Sequence, residues 1–183
     1  MTAITDPTGL PADVAGSPGQ TAHIVEALAR GPALIIPLVR EVPPAVRTLR
    51  TRAGKWSAHE QACHLAVVEG LFATRLDAML REDTPAITPY DPGPDALADD
   101  TLLRMDLEES LDRWAHERAR TADRLRGLAP ADWERTARHP EYTHYSVRLM
   151  CRHFALHDML HAYRIEEVLL KKDWLVEEEG GGT

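Results

Sequence analysis

Four stretches of this chain repeat apolar residues every three or four positions, and no segment of useful length alternates apolar with polar. Helices packed on helices are what such a pattern can build. From Thr21 the residues Ile24, Ala27 and Leu28 recur at helical spacing; Gly31-Pro32 is expected to break or kink the element before ALIIPLVREV continues it, with Pro37 interrupting again. Ser57-Ala58-His59-Glu60 has the S-x-x-E form of a capping box, and Ala62, Leu65, Ala66, Leu71, Phe72, Leu76 and Leu80 carry a stripe from there to about Glu82. A third helix is expected from about Thr101 to Gly127, with Leu103, Leu107, Leu111, Trp114, Ala122 and Leu125 on one face. The fourth begins near Ser146, where Val147, Met150, Phe154, His157, Leu160, His161, Ile165, Val168 and Leu169 form the inward stripe. The fold class is therefore all-α, a four-helix bundle of the up-and-down type or a close variant.

At 183 residues the chain suits one domain, assigned to residues 21–175. Residues 1–20 carry three prolines and three glycines without a periodic apolar face and are expected to form a loose arm. Residues 176–183 are an acidic, glycine-rich tail, and the Pro- and Asp-rich segment from Asp83 to Asp100 is a loop across one end of the bundle. After Leu128 a connector is expected, with one helical turn following Pro130.

The net charge of -8 repels a phosphate backbone, and no basic cluster overcomes it, so nucleic acid is not an expected partner. The longest uncharged apolar run, around Gly31 to Val39, is far short of the ~20 residues that cross a bilayer. Met1 to Gly19 has no signal-peptide pattern, so the protein is expected to be cytoplasmic with no membrane partner. Cys63 and Cys151 lie singly inside helical patterns and read as small buried hydrophobes.

The chemistry lies in histidines. RHFALHDMLHAYRIEEVL places His153, His157 and His161 at successive steps of four on one helix face, with neighbouring imidazoles ~6 Å apart. His157 and His161 can share one metal, and His64, set among Ala62, Leu65 and Ala66, supplies a third imidazole from another helix. Three neutral imidazoles suit Zn, Ni, Cu or Fe over Mg or Ca, and leave a coordination position for water or substrate. Glu60 reads first as the capping-box carboxylate and second as a weak candidate catalytic acid. His153 is a half-buried histidine or a fourth ligand, Asp158 is solvated or interhelical, and Trp56 and Trp114 are core or pocket walls. His139, Tyr142, His144 and Tyr145 pack in the connector or sit at a pocket mouth; Arg75 and Arg164 form salt bridges or bind an anionic substrate.

WSAHEQACHL, followed about ninety residues later by HPEY and HDMLH, resembles the DinB-like superfamily. Its members carry W-S-x-x-E-x-x-x-H-L on the second helix and H-D-x-x-H or H-x-x-x-H on the fourth. The matching residues are Trp56, Ser57, Glu60, His64 and Leu65, then His157, Asp158 and His161. The likeness extends more loosely from Thr21 to Leu170, including Gly31-Pro32, Gly54-Lys55-Trp56 and His139-Pro140-Glu141-Tyr142. It implies a four-helix bundle holding a zinc- or nickel-type metal through three histidines, often as a homodimer. Thr143 stands where relatives often have Gly, and Arg164 where they often have Gln, which puts the substrate-facing rim in question.

Three functions follow. The resemblance to bacillithiol transferases and mycothiol-dependent maleylpyruvate isomerases implies a metal-dependent thiol S-transferase acting on a small-molecule substrate with a low-molecular-weight thiol as cosubstrate. A metal-dependent hydrolase needs a general base, for which Glu60 is the carboxylate at hand. A non-catalytic, metal-binding stress-response bundle is the third.

Overall fold

The capping box forms as its spacing predicts: Ser57 Oγ accepts the Glu60 backbone N–H at 3.2 Å, and Glu60 Oε2 accepts the Ser57 N–H at 2.9 Å. Two donors that a helix start leaves without partners are thereby satisfied. The computed structural model describes residues 18–51, 54–88 and 100–171. Within them the chain forms α1 (Pro18–Glu41), α2 (Pro44–Arg47), α3 (Ala58–Arg81), α4 (Leu107–Arg126), α5 (Pro130–Trp133) and α6 (Val147–Lys171), with a 3-10 turn at Leu102–Arg104. No strand is present among the described residues beyond isolated bridges. Of the expected arm, residues 1–17 lie outside the described residues, and Pro18 to Gln20 already belong to α1. The acidic tail and residues 89–99 of the expected loop also lie outside them.

The four long helices pack in the cyclic order α1, α4, α3, α6. Thus α1 and α3, consecutive long helices, lie across the bundle from each other, as do α4 and α6. The close variant of an up-and-down bundle is what forms, because α2 and α5 sit in connections that cross the bundle ends. The second connection is pinned to α3: Arg135 donates to the Met79 carbonyl at 2.5 Å and the Glu82 carbonyl at 2.7 Å, satisfying acceptors that a helix end exposes. A bridge between Ala86 and Arg138 and another between Thr136 and Ser146 fix its course.

The core has two apolar clusters separated along the axis. One contains Leu28, Phe72, Leu76, Met79, Leu125, Met150 and Phe154, with Phe72 and Phe154 stacked at 4.2 Å between centroids. The other contains Ile35, Val39, Leu65, Leu111, Trp114 and Ile165. Between them lies a buried ionic layer formed by Arg118 on α4, Glu69 on α3 and Asp158 on α6. Arg118 donates to Glu69 at 2.7 Å and makes a close pair with Asp158, while Thr121 donates to the second Glu69 oxygen at 2.8 Å. Asp158 is thus interhelical and not solvated.

The expected break at Gly31-Pro32 does not occur, since α1 runs through both prolines. Pro32 has no N–H to give the Leu28 carbonyl four residues earlier. Arg118 Nη1 replaces it, donating to Leu28 O at 3.1 Å. Gly31 makes this approach possible, because a Cβ there would meet Asp158 Oδ2 at 2.9 Å and Arg118 Nη1 at 3.4 Å. The ionic layer therefore touches all four long helices.

One residue expected in the inward stripe of α6 turns outward: Leu160 is 51% exposed. At ~100° per residue it lies roughly 100° or more from the line through Met150, Phe154, His161 and Ile165. With Leu156, Met159, Tyr163 and Leu170 it forms an exposed apolar face. The apolarity of α1 would by length and composition also suit a membrane span, but Val25, Leu28, Ile35 and Val39 turn one face of it into the core.

Candidate metal centre

His64 lies one turn beyond the α3 capping box, and α3 packs directly against α6, which carries His157 and His161. The three rings meet between these helices. His157 Nε2 is 3.0 Å from His161 Nε2 and 3.3 Å from His64 Nε2, and one nitrogen from each ring lies within 4.8 Å of the others. Imidazole nitrogens bound to one tetrahedral cation at ~2.0–2.1 Å would stand about 3.3 Å apart. The donor set therefore has the spacing and the chemistry to hold a single borderline divalent cation.

The rings are neutral. Burial pushes His64 down to about 3, with His157 adding to the effect. Burial and His153 bring His157 to about 4, and burial with His157 and His64 brings His161 to about 2. Three nitrogens turned toward one another can be lone-pair donors only if the protons sit on the far side of each ring. For His161 the far side is occupied: its Nδ1 makes a short hydrogen bond to Gln61 Oε1, so Nδ1 carries the proton and Nε2 presents its lone pair. His157 Nδ1 is buried with no hydrogen-bond partner.

Gln61 is the residue that the spacing of histidines does not disclose. It is buried at 5% exposure and belongs to the first turn of α3. A polar amide on the buried face, three residues before His64, is the signal that could have found it.

Trp56 is a wall of the centre more than a core residue. It is half-buried, its ring 4.8 Å from His64 and 6.3 Å from His161, nearly parallel to the latter. Trp114 is fully buried and has the Arg118 guanidinium 5.4 Å over its ring. Cys63 and Cys151 are buried as expected; burial raises the Cys63 thiol to about 11 and Cys151 higher still. Neither supplies a thiolate at neutral pH.

Glu60 sits apart from the rings. Arg50 donates to it at 2.6 Å and Ser57 at 2.8 Å, and no hydrogen bond joins it to the three histidines. Burial alone would raise its pKa, but the Arg50 and Ser57 bonds outweigh this and lower it. His153 is exposed and does not belong to the converging group.

On the side of His157 a cavity of about 160 Å³ opens, walled by Val68, Leu71 and Phe154. His139, Tyr142 and Tyr145 reach it from the connector and His153 from α6, so three of the expected connector residues line a pocket, with Tyr145 itself buried in the core. His144 is not among its lining residues. A larger cavity of about 480 Å³ lies elsewhere, between Thr21 on α1 and Trp133 on α5, with no histidine or cysteine in its wall.

The class defined here is a four-helix bundle with diagonal connections and three converging imidazoles on two adjacent helices, a donor set that could hold one metal ion. The chain belongs to the DinB superfamily, whose sequence model matches residues 27–165. It is similar to OB0782 of Oceanobacillus iheyensis, a protein named provisionally as a metal-dependent hydrolase. The two are 32% identical over 123 residues, covering 67% of this chain and 70% of the relative. The fold is that of YfiT from Bacillus subtilis, described as having an unusual four-helix bundle topology. The TM-score is 0.79 at 23% identity, over 90% of this chain and 94% of that one.

Proposed function

We propose that His64, His157 and His161 together hold one divalent transition cation, zinc or nickel, and that the chain is a metal-dependent enzyme transferring a low-molecular-weight thiol to a small electrophilic substrate. The observation that carries this is the convergence of three neutral imidazole nitrogens beside a cavity. A divalent cation with three protein ligands supplies a positive charge that favours the anionic form of a thiol or water, and a coordination position at which to meet it. Gln61 orients the His161 ring, Trp56 covers the cluster, and Phe154, 5.8 Å from His157, keeps the approach apolar. Thiol transfer is favoured over hydrolysis because Glu60, the carboxylate that precedes His64 by one helical turn, is engaged by Arg50 and Ser57.

A metal-dependent hydrolase is the second reading, supported by the name given to the Oceanobacillus relative and by Glu141, a carboxylate that lines the cavity with His157. Metal analysis of untagged protein, followed by assay of a chromogenic electrophile and a chromogenic ester with and without added thiol, separates the two. Conjugation that requires thiol and vanishes in His161→Ala supports the transferase. Ester cleavage without thiol that vanishes in Glu141→Gln supports the hydrolase. Turnover unaffected by His161→Ala overturns both.

A further inference from the structure

Arg75 is the cation in the wall of the cavity beside His157. Its Nη2 donates to the Thr88 carbonyl at 2.6 Å, which fixes the guanidinium, and its Nε is buried with no acceptor. No carboxylate pairs with it among the described residues. Arg164, the other arginine that the sequence marks as an anion binder, is instead paired with Glu167 at 2.8 Å. A buried guanidinium donor without a partner is costly in a folded protein and points to an acceptor brought by a ligand.

We propose that this cavity receives the carboxylate end of a small apolar or aromatic monoanion, bound by Arg75 next to the Tyr145 hydroxyl. The inference rests on the metal centre proposed above only for calling that molecule the substrate. Arg75 lies beside the Tyr145 hydroxyl, whose pKa burial raises and Arg75 offsets in part, so the hydroxyl remains a donor at neutral pH. A guanidinium and a hydroxyl suit the two oxygens of a carboxylate. The rest of the wall accommodates a carbon skeleton: Val68, Leu71 and Phe154 on one side, and on the other the rings of Tyr142 and Tyr145, stacked 5.9 Å apart.

Among the described lining residues Arg75 is the one arginine or lysine, so the wall itself offers at most one full positive charge. Glu141 at the rim subtracts from it. His139 adds none, because burial lowers its pKa, and its Nδ1 accepts the Glu141 backbone N–H at 3.2 Å. Without a cation on the histidines, a phosphate monoester carrying about -1.5 to -2 would be left largely uncompensated by this wall. The cavity, about 160 Å³, is also smaller than the ~300–1,000 Å³ of drug-sized sites, which selects a small acid.

Calorimetric titration of the full chain with phenylacetate, phenylacetamide and inorganic phosphate tests this, in chelator-treated and zinc-loaded protein. Phenylacetate should bind about tenfold or more tightly than its amide in both forms, as expected for a charge-assisted bond. Arg75→Gln should bring acid and amide near parity, Arg75→Lys should keep part of the preference, and zinc content should be unchanged in both. Comparable melting temperatures of the two variants show that the loss is not unfolding. Equal binding of acid and amide, no detectable phenylacetate binding, tighter binding of phosphate, or a preference that survives Arg75→Gln each overturns the proposal. So does a preference confined to zinc-loaded protein, which would place the anion on the cation itself. Failure of zinc uptake with the carboxylate preference intact would remove the metal reading and leave the anion site standing.

Discussion

Gln61 decides which nitrogen of His161 is free to bind. Replacing it with Leu removes the acceptor for Nδ1–H and lets the ring change tautomer or swing away. Gln61→Leu should weaken zinc affinity by about 10- to 100-fold in competition with a chromophoric chelator while leaving helix content unchanged. Glu60 offers a contrast at the same scale. Its folded pKa is lowered, so its contribution is fully present above the ordinary carboxylate pKa of ~4.3 and is lost as pH falls through the folded value. Urea denaturation from pH 7 down to about pH 3 should show wild type losing more stability than Glu60→Gln, with metal content at pH 7 the same in both. The three histidines were legible because their spacing of four and their apolar neighbours are written in the chain. Gln61 was not, because the use of a side-chain amide depends on a ring contributed from 100 residues away.

Within single elements, Gly31-Pro32 reads as a helix breaker only while the helix is considered alone. In the bundle, Pro32 releases the Leu28 carbonyl and Gly31 leaves room for the residues that use it. Gly31→Ala would gain about 1 kcal/mol in helix propensity. The new methyl would press on the Asp158 carboxylate at 2.9 Å, in a network with little freedom to shift. Overpacking of this kind costs roughly 1–3 kcal/mol. The net outcome expected in thermal denaturation is a lower melting temperature, despite the better helix former. The capping box of α3, the turn after Pro130 and the start of α6 were all visible from local signals. The outward position of Leu160 was not, because it lies near the boundary of the stripe and hydrophobicity alone does not say which side of that boundary is covered.

At the scale of the whole molecule, a cation that bridges α3 and α6 binds only the folded chain and must stabilise it. At a free zinc concentration 100 times the dissociation constant the gain is about 2.7 kcal/mol, or several degrees in melting temperature. Scanning calorimetry should show this shift in wild type and its loss in His157→Ala; an unchanged melting temperature on chelation would count against the centre. Arg118→Met should be far more damaging, by about 3–5 kcal/mol or to the point of failing to fold, since it leaves Glu69 and Asp158 as buried carboxylates without their cation. The bundle itself followed from four periodic stretches. Its diagonal order did not, because the periodicity of a helix says which side is buried and not which neighbour buries it.

Asp158 directly follows His157 in the chain, so the ionic layer anchors α6 within one residue of the imidazole that joins the other two. A helix nailed at that level cannot slide or rotate to admit a guest without tearing a charged rivet out of an oily interior. A guest must therefore fit the cavity as the helices leave it, against the chain between α5 and α6, which Arg135, backbone bonds to Pro85 and Ile87, and the buried Ala137 and Tyr145 hold to the bundle.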